Sequence, residues 1–251
     1  MLAEGYKVTL DHQASHWWYR SRRDLFLRQV RRAAVALGHP ERRLALLDYG
    51  CAAGFDLPFL AEFGAAEGAD LTDSYASQAA EFPIHLVPRD LARLRRRFHV
   101  VTCLDVLEHI DDDVEALRTI ASLLQPGGQL VLTVPAYGWL WSGEDVISQH
   151  RRRYTRGRLL AACRAAELEV LYASYFNLSV LPAMTAVVWT RRLLDAGWRS
   201  KSNLTAGGGW LGGLARAATG VEARWVGDQR VSLPAGTSLI CRLRRPGEAE
   251  A

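Results

Sequence analysis

Seven short apolar runs punctuate the chain from Leu44 onward: "LALLDY" (44–49), "AAEGADL" (65–71), "IHLVP" (84–88), "FHVVTCL" (98–104), "QLVLTVP" (129–135), "EVLYASYF" (169–176) and "TSLICRLRR" (237–245). Each is short enough for a strand, and the run at 98–104 is apolar almost throughout, as a strand buried on both faces requires. Helix-like spacing fills the gaps at 57–63, 75–81 and 113–124 and again after Thr155, a candidate N-cap. Pro126-Gly127-Gly128 is expected to stop the third of these before the fifth strand. Strand alternating with helix predicts a parallel sheet, because parallel neighbours need crossover helices. The expected fold class is therefore α/β, a seven-stranded, doubly wound, mostly parallel sheet. Residues 1–43 form an arginine-rich helical extension in this reading, with Trp18, Leu25 and Val30 near one face. Residues 44–245 form the main domain, 177–230 a helical insert before the last strand, and 246–251 a disordered tail.

Composition narrows the function classes. Of 251 residues, 49% are hydrophobic and 23% charged, which suits a globular chain with one large core. The net charge of +4 is carried almost wholly by arginine, since Lys7 and Lys201 are the lysines. No basic stretch is interleaved with aromatic residues, so no nucleic-acid partner is expected. Cys51, Cys103, Cys163 and Cys241 are far apart, which suggests neither a zinc site nor a disulfide framework. The N-terminal residues lack a signal pattern, and a cytoplasmic location is expected. The uncharged stretch Phe176–Thr190 is shorter than the ~18–20 residues of a membrane span, and Pro182 interrupts it. It reads as a buried or interfacial helix, which leaves open a peripheral contact with a membrane or a lipid-linked substrate. The oligomeric state is not legible.

The chemistry begins at Gly50 and Gly54, in the turn after the first strand. In an open parallel sheet, ligands sit beyond the carboxyl ends of the strands. Asp70 ends the second strand, where a carboxylate can accept both hydroxyl hydrogens of a ribose. A dinucleotide turn wants G-x-G-x-x-G, yet Ala52 and Phe55 occupy the second and third glycine positions. A nucleoside cofactor without a pyrophosphate fits better, and a nicotinamide oxidoreductase is disfavoured.

The blocks "LLDYGCAAG", "EGADLTDS", "CLDVLEHIDDD" and "LLQPGGQLVLTVPAY" together resemble the class I S-adenosylmethionine-dependent methyltransferase family over about residues 44–176. The segment "WLWSGEDVISQHRRRYTRGRLL" resembles a bacterial subgroup of that family. The resemblance implies a Rossmann-like methyltransferase fold, S-adenosylmethionine as cofactor and a small-molecule acceptor. It implies that Asp48, Gly50, Cys51, Ala52 and Gly54 line the methionine end and ribose. Asp70 would hold the ribose hydroxyls, with Leu71 against the adenine. Asp90 would meet the adenine amino group beside Leu91, and Leu104 and Asp105 would flank the methionine moiety. Ala52 departs from the glycine more common in the family, and its methyl group disfavours positive φ.

Transfer of a methyl group from a sulfonium is an in-line displacement, dominated by proximity and orientation. The displacement itself requires no metal, and none is expected. An alcohol acceptor must also lose a proton. His150, after the fifth strand, is the candidate base, with His109 and Tyr154 as further catalytic candidates. Asp145 either orients that imidazole or pairs with Arg152 or Arg153. Together with Asp145, these two arginines are the candidate substrate contacts, suited to an anionic acceptor. Each of these residues also has a structural reading, as loop brace, ion pair or packing. Methylation of oxygen, nitrogen or carbon stays open. An RNA or protein methyltransferase and a non-catalytic cofactor-binding module are the remaining alternatives. "VPAY" (134–137) stands where nucleic-acid amino methylation would place N-P-P-Y.

Overall fold

A computed structural model describes residues 17–39, 43–71, 81–86, 96–195, 197–200 and 210–247. Helix α1 (Trp17–Ala36) precedes strand β1 (Leu44–Tyr49), a short helix α2 (Leu57–Leu60), β2 (Gly64–Asp70), β3 (Ile84–Leu86) and β4 (Phe98–Leu104). There follow α3 (Asp113–Leu123), β5 (Leu124–Pro135), α4 (Gly143–Ile147), α5 (Arg156–Ala165) and β6 (Glu169–Phe176). Helices α6 (Leu181–Leu194) and α7 (Trp210–Gly227) then lead to β7 (Ser238–Arg244).

The seven strands form one sheet in the order β3-β2-β1-β4-β5-β7-β6. β1 pairs in parallel with β2 and β4, β2 with β3, and β4 with β5. β7 runs antiparallel between β5 and β6. The strand order therefore reverses between β1 and β4, and the crevice at their carboxyl ends is where such a sheet binds ligands. This is the seven-stranded, mostly parallel architecture the apolar runs predict.

Each face of the sheet is buried by a different pair of helices. Leu117, Ile120, Leu159 and Cys163 of α3 and α5 cover one face, over Val101, Cys103 and Leu132. Leu25, Phe26, Val30, Ala223 and Val226 of α1 and α7 cover the other, over Leu46, Val100, Val131 and Ile240. Local signals set the helix starts. Asp112 caps α3 by accepting from Glu115 N at 2.9 Å, and Thr155 caps α5 by accepting from Arg158 N at 3.4 Å. All four cysteines are free and buried.

The start of β5 differs from the sequence reading. β5 begins at Leu124, not at 129, and runs through Pro126-Gly127-Gly128. Gly127 takes φ +79, Gly127 N donates to Arg245 O at 3.0 Å and Arg245 N to Gly128 O at 2.9 Å. The Pro-Gly-Gly segment thus carries a bulge in the ladder with β4. β3 ends at Leu86; residues 87–88 of the expected strand and most of the expected 75–81 helix lie outside the described residues.

Candidate active site

The crevice between β1 and β4 is built from backbone that L side chains rarely adopt. Gly50 takes φ +81 and Gly54 φ +72. A Cβ on Gly50 would lie 2.3 Å from Val106 Cγ2, so glycine there serves both the turn and the close approach of the β4 loop. Ala52 sits at φ +47 despite its methyl group, a conformation that costs about 1–2 kcal/mol. The bend is held from the next strand: Ala52 N donates to Asp70 Oδ2 at 2.7 Å, and Gly50 N and Cys51 N both donate to Ala69 O. The glycine turn and the β2 carboxylate therefore share one end of the sheet. Leu71, directly after Asp70, is 71% exposed. An apolar side chain left open beside an anchored carboxylate fits a ribose and the flat face of a base. Asp90 and Leu91 lie outside the described residues.

Asp48 is buried beneath this turn and accepts from Thr102 Oγ1 at 2.7 Å. Burial, and then the nearby Asp56, push its carboxyl up to about 7, against the Thr102 hydrogen bond. Asp105 follows β4 with φ +57, next to the buried Leu104. Its carboxylate does not stand alone. Arg22 of α1 donates to Asp105 Oδ2 at 2.7 Å and to Asp56 Oδ2 at 3.0 Å, and Arg23 Nε reaches Asp56 Oδ1 at 3.1 Å. Burial opposes the Arg22 charge, but Asp56 and Asp105 outweigh it and raise its pKa. Among the described residues, Arg22 Nε has no hydrogen-bond partner. The helix therefore places a cation at the crevice, a role no sequence signal marked, because Arg22 and Asp105 are 83 residues apart.

A second group of side chains gathers on the β5 side. His150 Nδ1 bonds Asp145 Oδ1 at 2.8 Å. Arg153 grips the same carboxylate twice, Nε to Oδ1 at 2.6 Å and Nη2 to Oδ2 at 2.9 Å. Asp145 also closes a capping box with Ser142 at the start of α4. Burial would raise the Asp145 carboxyl, but His150 and Arg153 overcome this and hold it well below the usual carboxylate range. The 150–154 segment is pinned by Arg151 N to Glu108 O at 2.6 Å and by Tyr154 N to Pro135 O at 2.9 Å. This brings His150 against His109, ring centroids 4.7 Å apart. Burial, then His150, lower the His109 pKa to about 4. Glu108 completes the group. It is fully buried, among the described residues no other residue hydrogen-bonds either carboxylate oxygen, and burial, then Asp105, raise its carboxyl far above the ordinary value.

Four sequence-predicted residues are engaged chiefly by the protein itself. Tyr154 is in the core, with its hydroxyl donating to Asp113 Oδ2 at 2.9 Å; burial, then Asp113, raise its pKa. Arg152 turns to Asp113 Oδ2 at 3.0 Å and the Ile110 carbonyl at 2.8 Å, away from Asp145. Arg153 spends its donors on Asp145 and Ala136 O. Asp145 itself is 0% exposed and bonded by His150, Arg153 and Ser142, which combines the two pairings the sequence left open. A cavity of about 660 Å³ lies beside α1 and α2, lined by Arg20, Arg23, Phe55, Phe59 and Arg216 among others.

A methyltransferase-domain family matches residues 16–173. The ubiquinone biosynthesis O-methyltransferase of Alkalilimnicola ehrlichii is 31% identical over 143 residues, 49% of this chain and 56% of that protein. The enzyme of the same name from Xanthomonas campestris pv. campestris is 29% identical over 188 residues, 61% of this chain and 79% of its own. Among solved structures, the plantazolicin methyltransferase BamL superposes with a TM-score of 0.60 at 10% identity, over 97% of this chain and 91% of that one. The glycine bend, the β2 carboxylate and the reversed strand order thus sit in a chain that belongs to the class I S-adenosylmethionine-dependent methyltransferases, with S-adenosylmethionine as its cofactor.

Proposed function

We propose that the protein methylates an oxygen of a small-molecule acceptor. S-Adenosylmethionine supplies an electrophilic methyl group when bound. Asp70 and the 50–54 bend hold its ribose, Leu71 flanks its adenine, and Arg22 offers a cation to the carboxylate of its amino-acid end. Asp48, Cys51, Leu104 and Asp105 wall the methionine side. The acceptor hydroxyl loses its proton at the group formed by Glu108, His109 and His150, with Asp145 fixing the His150 imidazole. One observation carries this reading: the Asp70–Ala52 contact follows β2 and β1 and the His150–Asp145 pair follows β5, on either side of the loop after β4, one suited to a cofactor and the other to proton removal. The O-methyltransferase relatives favour oxygen over nitrogen or carbon. A lipid-linked acceptor is supported by the exposed Trp189, Leu193 and Leu194 on α6.

Titration with S-adenosylhomocysteine tests the cofactor half. Asp70→Ala should weaken binding by about 1–3 kcal/mol, the cost of stranding buried polar partners. A radiolabelled methyl-transfer assay over hydroxylated aromatic acceptors tests the other half. Unchanged affinity in Asp70→Ala would remove that carboxylate from the ribose site. Methylation of amines but not hydroxyls would overturn the choice of oxygen.

A further inference from the structure

We infer that Glu108, His109 and His150 form a binding site for a divalent transition-metal ion. This rests on the proposed methyl transfer for its purpose but not for its geometry. Each residue offers one ligand atom, and the three atoms lie within 4.8 Å of one another. Ligand atoms about 2.1 Å from a tetrahedral ion lie roughly 3.4 Å apart, so the side chains must draw together by about an ångström to close the site. Two imidazoles and one carboxylate are a donor set for zinc, iron, manganese or cobalt, not for the all-oxygen shell of calcium or magnesium.

Two independent observations point to a ligand. The first is Glu108. It is 0% exposed, yet among the described residues no other residue hydrogen-bonds either carboxylate oxygen. Buried polar groups without partners are costly and need a cause. The nearby charges do not supply a partner: Arg153 favours the charged form from a distance but spends its donors on Asp145 and Ala136 O, and Asp105 adds a like charge. A divalent ion supplies the missing positive charge directly. The second is the support behind His150. Metal-bound imidazoles characteristically give their other nitrogen to a carboxylate, which fixes ring orientation and tautomer. His150 does this through Nδ1 to the fully buried Asp145, itself clamped by Arg153 and Ser142. The remaining nitrogen, Nε2, is left for the ion.

The place suits the chemistry. Glu108 and His109 follow β4, and the crevice between β1 and β4 opens there. Three protein ligands leave coordination positions open, as catalytic metal sites do. An acceptor hydroxyl entering one of them loses its proton to solvent more readily, because the ion stabilises the oxyanion. The oxygen lone pair then attacks the methyl carbon, and the sulfonium sulfur keeps the electrons of the broken C–S bond. The acceptor class is accordingly a molecule whose methylated oxygen can ligate a metal. In this arrangement His150 acts as a ligand and not as a free base.

The test uses the full chain, stripped with a chelator and titrated with CoCl₂ while visible absorption is followed. One equivalent of Co²⁺ should bind and give ligand-field bands. Glu108→Gln, which keeps the side-chain volume, and His150→Ala should each weaken binding at least tenfold. Thermal unfolding confirms that each variant is folded, and His109→Ala serves if either is not. S-Adenosylhomocysteine titration runs in parallel. Absence of Co²⁺ uptake at millimolar concentration, with S-adenosylhomocysteine bound normally, overturns the metal site alone. Equal uptake by wild type and both variants overturns it as well. Stoichiometric Co²⁺ binding without S-adenosylhomocysteine binding leaves the metal site standing and overturns the methyl-transfer reading.

Discussion

Asp48 shows how one side chain can carry a cost that the site retains. Its carboxyl is buried beside Asp56, with Arg22 and Asp70 also in its field, and its pKa is lifted to about 7. A raised acid binds more protons folded than unfolded, so its contribution to stability is greatest below the unfolded value near 4. That contribution is lost as pH rises through about 7. Asp48→Asn removes the titration and keeps a group that can accept from Thr102. The variant should gain melting temperature relative to wild type as pH goes from 5 to about 7, and the difference should level off by pH 8.5. Thermal unfolding of both proteins across that range checks it, and a pH-independent difference would show that the Asp48 carboxyl is not raised in the folded state. Such residues also mark where sequence reading stops. Asp48, Gly50 and Asp70 are legible because their roles follow from a local turn and a strand end. Glu108 is visible in the sequence as an acidic residue, but its lack of partners is a property of packing. Gly68 gave no signal, yet a Cβ there would lie 2.5 Å from Cys51 Sγ, so it makes room for the turn from the neighbouring strand.

At the scale of elements, the strands were legible wherever burial on both faces wrote a continuous apolar run. β4 is an example, coinciding with "FHVVTCL" from end to end. The start of β5 was not, because Pro-Gly-Gly normally ends structure and here forms a bulge whose partners lie on β4 and beyond β7. Helix α1 was legible as a helix but not as part of the site. Its buried face carries Leu25, Phe26 and Val30 into the core, and the same docking sets Arg22 between Asp56 and Asp105. All three side chains are at most 17% exposed. Removing one partner of a buried charge network strands the others and costs about 3–5 kcal/mol. Arg22→Met should destabilise by that order in denaturant unfolding, whereas Arg20→Met, at an exposed position of the same helix, should stay within about 0.5 kcal/mol. Equal effects from the two substitutions would mean that the ion pairs to Asp56 and Asp105 contribute nothing beyond the packing of the stem.

Across the whole molecule, the helices between β6 and β7 divide into two jobs. α7 lies along α1 over the sheet, and the α1 side chains of Gln29 and Arg32 reach the Gly227 carbonyl at its end, at 3.0 and 3.1 Å. α6 does not bury a comparable face. Val188 is its buried residue, while Trp189, Leu193 and Leu194 are exposed to 46%, 76% and 82%. Arg192 stacks over Trp189 and Trp198 and donates to the Trp141 carbonyl, which ties this end of α6 to the segment just before Asp145. No described helix is long and apolar enough to cross a membrane. Aromatic and aliphatic side chains set among arginines are instead the pattern of a helix that lies in a lipid interface. Each basic residue near an anionic surface adds about 1 kcal/mol, screened by salt. The protein should therefore float with vesicles containing phosphatidylglycerol and less well with neutral ones. The double substitution Leu193→Asp and Leu194→Asp should cut the bound fraction several-fold without changing S-adenosylhomocysteine affinity, because both side chains are largely exposed to solvent. Raising the salt to 0.5 M should release the wild type only partly, since the apolar contribution survives screening. Wild-type protein that stays with the buffer on anionic vesicles would mean that α6 meets another surface, and the case for a lipid-linked acceptor would lose its support.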